Sequence, residues 1–366
     1  MKTVCICGGG ALGHVISGIL ASQGIRVNVL TNNPEKWSKT IKVEDLYNKE
    51  YIGNLQKVSS LPEEVIPQAD IVLLTLPGFL INKELLKIKK YLKDDTIIGS
   101  VVSSTGFFIM AARIFGEKYN LFGFQRTPYI ARVKEYGSSA YLLGYKKLLK
   151  MAFSNKSDST PYISFFQNGF NTEIILLNHI LEATVTNSNP ILHPSRLYSL
   201  FNNWDNSIVY PENILFYEDW NNFSSRILIE CDKELQNIIT QLPIDQREIV
   251  PLLEYYESVD ESTLTNKIKS IEAFKGIKVP MKKVEKGFMP DFQDRYFVED
   301  IPYGLLLLKN IAHIVNVSTP IIDMILEWGQ KVIDKEFIKD GLLVGKDINE
   351  ISCIDNEIIR FIVNKI

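Results

Sequence analysis

The first thirty residues contain two apolar runs separated by a glycine cluster and an amphipathic stretch. The β-branched and apolar run Thr3 to Cys7 predicts a short buried strand. Gly24 is a natural C-terminal end for the helix that follows, and Ile25 to Leu30 predicts a second strand. The pattern is therefore strand, turn, helix and strand, which is a βαβ unit. The residues that repeat on one face of the helix are Leu12, Val15, Ile16, Ile19 and Leu20.

Strand and helix patterns continue to alternate through the first half of the chain. Apolar runs at Ile71 to Leu76, Thr96 to Val102 and Leu121 to Phe124 predict strands, and Leu80 to Leu92 has helical spacing. Strands that alternate with helices favour a parallel sheet covered by helices on both faces. The first half is therefore predicted to be α/β.

The second half has helical spacing and almost no alternating strands. The composition changes after the stretch Asn187 to Pro190, so we place a domain boundary near residue 183. The predicted domains are residues 1–183 and 184–366. The helical patterns cover Leu192 to Phe201, Ser224 to Ile239, Ile249 to Tyr256, Tyr303 to Val315 and Ile321 to Ile333.

Length and composition are those of an ordinary folded protein of about two domains. The chain has 366 residues, of which 46% are hydrophobic and 23% are charged. These proportions exclude intrinsic disorder. The 40 basic and 43 acidic residues leave a net charge of −3, which provides no basic field to hold a phosphate backbone. We therefore expect no nucleic-acid partner.

The cysteines and apolar runs favour a reducing, aqueous compartment. The longest uncharged apolar run, Ile71 to Ile81, is far shorter than the roughly 20 residues of a membrane-spanning helix. The apolar N-terminus resembles a secretory signal, but its glycines would break a signal helix. We predict a cytoplasmic protein without a membrane span. The cysteines are Cys5, Cys7, Cys231 and Cys353. None of them belongs to a CxxC motif or a Cys/His cluster, so we expect buried thiols and no metal site.

The spaced glycines Gly8, Gly10 and Gly13 follow the first strand and open the first helix, as a dinucleotide-binding turn requires. Gly8 would allow the tight turn, Gly10 would let the backbone approach a pyrophosphate, and Gly13 would let the helix pack on the strand. A purely structural tight turn is the alternative, and His14 is interpreted as structural or adjacent to phosphate. The predicted fold class is α/β, with an N-terminal Rossmann dinucleotide-binding domain followed by a mostly α-helical C-terminal domain.

The end of the second strand bears on the choice of cofactor. An acidic residue there would bind the adenosine ribose and repel a 2′-phosphate, but the chain has Thr31, Asn32 and, farther on, Lys36. These residues favour NADP over NAD, although Asn-Asn-Pro is also ordinary turn chemistry. Pro77, with Gly78, leaves room for the cofactor after a predicted strand; a simple turn before the next helix is the alternative.

His193 has the most unusual setting of the four histidines, because it lies between Pro190 and Pro194. Pro194 is expected to be the first helical residue. The helix dipole would then keep the imidazole neutral and ready to exchange a proton. A structural histidine between the domains is an equally good interpretation at this point.

Four segments together resemble the octopine/nopaline dehydrogenase family, the opine dehydrogenases, and the resemblance covers essentially the whole chain. They are GGGALGH, TPYIAR (Thr127 to Arg132), NSNPILHP and RYFVEDIPYGLLLL (Arg295 to Leu308). The resemblance implies a Rossmann domain, a helical domain and a substrate cleft between them. It also implies that an amino acid and a 2-oxo acid are reductively condensed, through an imine, to an N-(carboxyalkyl) amino acid.

The same resemblance assigns roles to individual residues. His193 matches the catalytic histidine, Asp300 its carboxylate partner, and Arg295 an arginine that binds a substrate carboxylate. Taken alone, Asp300 would be interpreted as a helix cap. Asn189 and Arg132 are weaker substrate-binding candidates, because Asn189 could simply begin a turn and Arg132 could pair with an acid.

Two other functions compete with this one. A ketopantoate-reductase-like or glycerol-3-phosphate-dehydrogenase-like reductase would share the same start, but such enzymes typically use a lysine for proton transfer. A non-catalytic dinucleotide sensor would have no need of the histidine, aspartate and arginine. The sequence leaves open the amino acid, the 2-oxo acid, the direction of the reaction and whether the chain forms a homodimer.

Overall fold

The computed structural model describes residues 2–186, 188–246 and 249–364. The chain forms two compact units, one of residues 1–103 and 107–184 and one of residues 104–106 and 185–366. The domain limits derived from the sequence, 1–183 and 184–366, stay a prediction. Asn187, which helped to place that boundary, lies outside the described residues.

The first unit contains most of the strands and the first helices of the chain. The strands are β1 (Thr3–Cys7), β2 (Arg26–Leu30), β3 (Thr40–Asp45), β4 (Glu50–Asn54), β5 (Lys57–Ser59), β6 (Ile71–Leu74), β7 (Ile97–Ser100), β8 (Leu121–Phe124), β9 (Tyr129–Glu135), β10 (Ser139–Tyr145), β11 (Leu148–Phe153) and β12 (Glu173–Leu176). The helices are α1 (Ala11–Ser22), α2 (Pro62–Val65), α3 (Gly78–Ile88), α4 (Phe107–Phe115), α5 (Thr160–Phe170) and α6 (Ile180–Val185), which ends at the unit boundary.

The main sheet has the order β12-β11-β8-β7-β6-β1-β2-β5. The strands from β8 to β5 are parallel, and β11 is antiparallel to β8. This confirms the predicted parallel sheet and α/β class. Cys7 pairs with Leu30 on one side and with Leu74 on the other. The three central strands therefore end at the same edge, and their following residues are brought together there.

A second sheet, of order β4-β3-β10-β9, was not predicted. Helix α1 packs against strands of both sheets. This close packing needs glycine at two positions, because a Cβ on Gly53 would overlap the carbonyl oxygen of Gly18 and one on Gly18 would lie 2.6 Å from Val43 Cγ2. The apolar core of this unit includes Val15, Ile41 and many other residues from α1 and both sheets.

The second unit is mostly helical, as predicted. Its helices are α7 (Asn189–Phe201), α8 (Asn222–Gln241), α9 (Leu252–Tyr255), α10 (Glu261–Ser270), α11 (Arg295–Val298), α12 (Leu306–Ile314), α13 (Pro320–Val332) and α14 (Asn356–Asn364). A hairpin is formed by β13 (Met281–Val284) and β14 (Gly287–Pro290). A π-helical turn, Ile301–Leu305, precedes α12. The helix predicted at Ile249 to Tyr256 is only the short α9, because Pro251 has a non-helical backbone, with φ −55° and ψ 152°.

The cysteines and the helices bear on two further expectations. All four cysteines are buried thiols, as expected. Burial raises the pKa of Cys231 and of Cys353 to about 12, so both thiols stay protonated. Within the described part of the chain, every helix is too short or too polar to span a membrane.

Candidate active site

The glycine turn of the first unit has the geometry that its three glycines predict. Gly8 has φ +128°, a conformation that favours glycine. Apart from Gly10 itself and its two chain neighbours, no atom of the described residues lies within 4 Å of the place where a Cβ on Gly10 would be. A Cβ on Gly13 would instead overlap the carbonyl oxygen of Gly8, so α1 can begin here only with glycine. The turn therefore leaves open space at Gly10, at the N-terminus of α1, as a pyrophosphate requires.

Thr75 stabilises this turn and was not among the predicted site residues. Its Oγ1 donates toward the carbonyl oxygens of Cys7 (3.2 Å) and Gly8 (3.3 Å). The contact follows from the sheet register, which places the residues after β1 and β6 side by side. Pro77, two residues farther along, is the extended residue that precedes α3. A hydroxyl directly after an apolar strand was the available sequence signal for Thr75.

The end of β2 carries the residues predicted to meet the adenosine ribose. Thr31 is buried, whereas Asn32 and Lys36 are exposed. Lys36 closes a short 3-10 turn, Pro34–Lys36. The hydroxyl of Tyr136, from the turn between β9 and β10, lies 3.5 Å from Thr31 Oγ1. Tyr136 was not among the predicted site residues, because the second sheet that carries it was not predicted.

Helix α7 begins earlier than predicted. Asn189 is its first residue, Pro190 lies in its first turn, and Pro194 lies inside the helix. The expectation that Pro194 is the first helical residue is therefore wrong. Pro190 suits the start of the helix better, because the N–H groups of the first turn have no hydrogen-bond acceptor within the helix and proline has no N–H. His193 consequently lies one turn after Asn189 rather than at the helix N-terminus, and the dipole argument for its neutrality weakens.

His193 is hydrogen-bonded at both ring nitrogens. Nδ1 lies 2.8 Å from Asp300 Oδ2, and Nε2 lies 3.1 Å from the hydroxyl of Tyr217. A carboxylate only accepts, so Nδ1 carries a proton, and in the tautomer with its proton on Nδ1 the ring accepts from the Tyr217 hydroxyl at Nε2. The side chains of His193 and Asp300 are only 8% and 15% exposed. This is the arrangement of a base with a carboxylate that orients it.

The rings around His193 fix its orientation. Tyr296 stacks on the imidazole with centroids 4.4 Å apart and planes 19° apart. Phe216 presents its edge at 5.5 Å. Tyr217 is itself stacked on Phe274 at 4.0 Å. None of these aromatic residues was predicted, although Tyr296 directly follows the predicted site residue Arg295.

Asp300 does not cap a helix through its side chain. It precedes the π-helical turn Ile301–Leu305 in a helical conformation and makes no side-chain cap hydrogen bond. Its main-chain oxygen accepts from Leu305 N instead. Asp300 therefore occupies the N-cap position, but its side chain does not cap the turn, and its carboxylate is left to bind His193. A Cβ on Gly304 would lie 3.1 Å from Pro190 Cβ, so a glycine here allows the turn to approach α7 closely.

The other predicted substrate-binding residues have separate surroundings. The Arg295 side chain is 65% exposed and its Nε lies 3.5 Å from Glu299 Oε2. Asn189 is exposed at the start of α7. Arg132 is exposed on β9, in the first unit, and its Nη1 donates to the carbonyl oxygen of Ala131. Their roles stay predictions.

A buried arginine positions the segment that carries Tyr217. Arg196 donates to the carbonyl oxygens of Phe216 (3.0 Å) and Asp219 (2.8 Å) and to Ser224 Oγ (3.0 Å). Burial lowers the pKa of Arg196 to about 10, a value at which the guanidinium is still charged at neutral pH. Arg196 thus clamps the backbone on both sides of Tyr217. Its place one turn after His193 was the sequence signal for it.

Two family models match the chain. The model of the NAD/NADP octopine/nopaline dehydrogenase alpha-helical domain matches residues 176–333. The model of the NAD-dependent glycerol-3-phosphate dehydrogenase N-terminus matches residues 3–109. Octopine dehydrogenase of Pecten maximus is 31% identical over 96% of this chain and 95% of its own length. Tauropine dehydrogenase of Arabella iricolor is 30% identical over 95% of this chain and 96% of its own length.

Solved structures agree with these matches. Octopine dehydrogenase with NADH and L-arginine has a TM-score of 0.88 and 28% identity, covering 100% of this chain and 98% of that one. Yersinopine dehydrogenase with bound NADP⁺ has a TM-score of 0.73 over 99% of each chain. Its identity is 13%, so this second likeness concerns the fold alone.

Replacing Gly10 and Gly13 separately should distinguish the binding role of the turn from its structural role. Gly10 has φ −83°, which alanine adopts easily, so Gly10→Ala should keep its Tm while losing most of its affinity for NADPH and NADH. Gly13→Ala should lower the Tm, because overpacking typically costs about 1–3 kcal/mol. Thermal unfolding and fluorescence titration measure the two effects. Unchanged nucleotide affinity in Gly10→Ala would show that the turn does not hold the pyrophosphate.

Proposed function

The chain belongs to the octopine/nopaline dehydrogenase family, and from this premise we propose that it reductively condenses an amino acid with a 2-oxo acid. It is an opine dehydrogenase-type NAD(P)-dependent oxidoreductase. The proposed reaction passes through an imine and yields an N-(carboxyalkyl) amino acid. The observation that carries the proposal is the 2.8 Å contact between His193 Nδ1 and Asp300 Oδ2, within the segment that the helical-domain model matches.

The first unit fits a dinucleotide. The open space at Gly10 and the N-terminus of α1 suit a pyrophosphate. We assign Gly8, Gly10 and Gly13 to the pyrophosphate and Pro77 to the border of the cofactor site. When bound, the reduced nicotinamide supplies the hydride that the imine carbon receives. The chain's own residues have to bind and orient the substrates and handle the protons.

His193 is proposed to move the protons of condensation. An amino group must lose a proton before it attacks a carbonyl carbon, and the carbonyl oxygen must gain protons before it leaves as water. The neutral imidazole takes up the first proton at Nε2 and then returns it to the departing oxygen. Tyr217 gives up or shares its 3.1 Å hydrogen bond with Nε2 during this exchange. Asp300 accepts a hydrogen bond from Nδ1, which keeps its proton throughout, and the carboxylate stabilises the imidazolium that forms.

Both substrates carry carboxylates, and arginine recognises these well because its planar fork can bind both oxygens. We propose Arg295 for one carboxylate, since its exposed guanidinium is tied only loosely to Glu299, at 3.5 Å. Arg132 is the second arginine proposed for substrate binding. Asn189 lies one turn before His193 on α7 and is proposed to hydrogen-bond substrate.

The cofactor preference and the setting of the protein are further parts of the proposal. We propose that NADP is preferred to NAD, because Thr31, Asn32 and Lys36 place no carboxylate at the end of β2. A cytoplasmic location is supported by four cysteines that are all free thiols. A homodimer stays a prediction.

A turnover assay tests the proposed reaction. Oxidation of NADPH or NADH should require both a 2-oxo acid, pyruvate or 2-oxoglutarate, and one member of an amino-acid panel that includes L-arginine. The product should be an N-(carboxyalkyl) amino acid by mass spectrometry. His193→Ala should bind nucleotide normally and turn over about two to four orders of magnitude more slowly, as expected when an acid/base group is lost.

Other outcomes of that assay would contradict the proposal. Oxidation with ketopantoate or dihydroxyacetone phosphate and no amino acid would indicate one of the competing reductases. Nucleotide binding without any turnover across the panel would indicate a sensor. Near-normal turnover by His193→Ala would remove this residue from the reaction.

The preference between NADPH and NADH can be tested separately. NADPH should bind more tightly than NADH in a fluorescence titration of the unchanged protein. Asn32→Asp should move the preference toward NADH, because a carboxylate accepts from the ribose hydroxyls and repels a 2′-phosphate. Equal or reversed affinities in the unchanged protein would refute the preference.

A further inference from the structure

The turn between β9 and β10 is attached to the glycine turn through a buried histidine. Gly137 N donates to Nε2 of His14 at 2.7 Å, and the other ring nitrogen, Nδ1, lies 2.8 Å from the carbonyl oxygen of Gly10. Because Gly137 N is a donor, Nε2 accepts and Nδ1 carries the proton. His14 therefore joins the two turns with a single neutral imidazole.

Packing makes this junction rigid. The His14 ring lies 4.2 Å from Trp37 and 5.3 Å from Tyr136, centroid to centroid. Gly137 has φ +80°, and a Cβ there would overlap the carbonyl oxygen of Lys36. Burial lowers the pKa of His14, although its bond to Gly10 acts in the opposite direction, so the neutral ring is favoured. The backbone next to Tyr136 is thus held in one place.

The hydroxyl of Tyr136 consequently lies at the carboxyl edge of the main sheet. A Cβ on Gly9 would lie 2.8 Å from it, and Thr31 Oγ1 is 3.5 Å away. Tyr136 is 38% exposed, so the residue is only partly buried. Burial raises the pKa of Tyr136, but the hydrogen-bonding groups of Thr31, Trp37 and Asn33 and the charge of Lys36 outweigh it and lower the pKa.

We propose that Tyr136 is a specificity-determining residue whose hydroxyl donates a hydrogen bond to the 2′-phosphate on the adenosine ribose of NADPH, and that His14 positions it. The inference rests on the proposed nucleotide binding. In a βαβ dinucleotide site, the ribose meets the residues that follow the second strand, and Tyr136 contacts the first of these, Thr31. A phosphate is a stronger acceptor than the ribose hydroxyl of NADH, so the same phenol favours NADPH.

Tyr136→Phe tests the proposal, because it removes only the hydroxyl and keeps the ring beside His14 and Trp37. The dissociation constants of NADPH and NADH are measured from the quenching of tryptophan fluorescence, without substrates. We expect affinity for NADPH to fall about tenfold or more, as for a lost hydrogen bond to a charged group, and affinity for NADH to change by less than about twofold. The control is Tyr145→Phe, an exposed tyrosine on β10, which should leave both constants unchanged.

His14→Phe tests the positioning role. It keeps a ring beside Trp37 but removes both hydrogen bonds that hold the two turns together. If His14 has only a structural role, His14→Phe should weaken the binding of NADPH and NADH equally. If His14 positions Tyr136, the variant should lower the preference for NADPH over NADH. Combining His14→Phe with Tyr136→Phe should lower that preference no further than Tyr136→Phe alone, because the two residues act as a unit. If His14→Phe does not fold, Tyr136→Phe decides the proposal by itself.

The failure of this inference and of the proposed function can be distinguished. An unchanged ratio of the two dissociation constants in Tyr136→Phe, in a protein that binds nucleotide, overturns only the role of Tyr136. Absence of binding of both nucleotides to the unchanged protein overturns the proposed function itself.

Discussion

The hydrogen bond between His193 Nδ1 and Asp300 Oδ2 is the interaction on which the chemistry proposed for the second unit depends. It requires the first turns of α7 to approach the π-helical turn, and Gly304 permits this by leaving room for Pro190. It also requires that the Asp300 carboxylate stay free of a capping role, as its helical backbone ensures. The bond fixes the proton on Nδ1, so Nε2 is left as the atom for the proposed proton exchange.

Buried hydrogen bonds also hold His193 at Nε2, the ring nitrogen opposite its contact with Asp300. Arg196 binds two backbone carbonyls around Tyr217, and the Tyr217 hydroxyl reaches His193 Nε2. A buried guanidinium is costly unless it is fully hydrogen-bonded, and here its donors hold a loop rather than a carboxylate. In the first unit a buried side chain likewise holds backbone groups in place, because His14 is hydrogen-bonded to the Gly10 carbonyl and to the Gly137 amide.

The central strands and the glycine turn could be predicted because their signals are local. Gly8 and Gly13 have backbone or packing constraints that only glycine meets, and Gly10 leaves open space at the start of α1. The apolar runs are continuous because the parallel sheet is buried. The second sheet was missed because β3 pairs with β10 across a large sequence separation, and its strands carry charges on an exposed face. Tyr136 was missed with it. His193 was singled out by its position between Pro190 and Pro194. Its catalytic role and the role of Asp300 came from a family resemblance, whereas residue patterns alone began the helix at Pro194 and interpreted Asp300 as a helix cap.

We propose that the Asp300 side chain acts on His193 rather than on the local backbone. The most direct test compares turnover and Tm in Asp300→Asn, which keeps the size of the side chain but removes the charge that stabilises an imidazolium. The matched control is Asp294→Asn, at the N-terminal cap of α11, where asparagine caps about as well as aspartate. We expect Asp300→Asn to lose about two orders of magnitude or more in turnover at an unchanged Tm, and Asp294→Asn to keep both. Unchanged turnover in Asp300→Asn would contradict it and leave His193 without a partner.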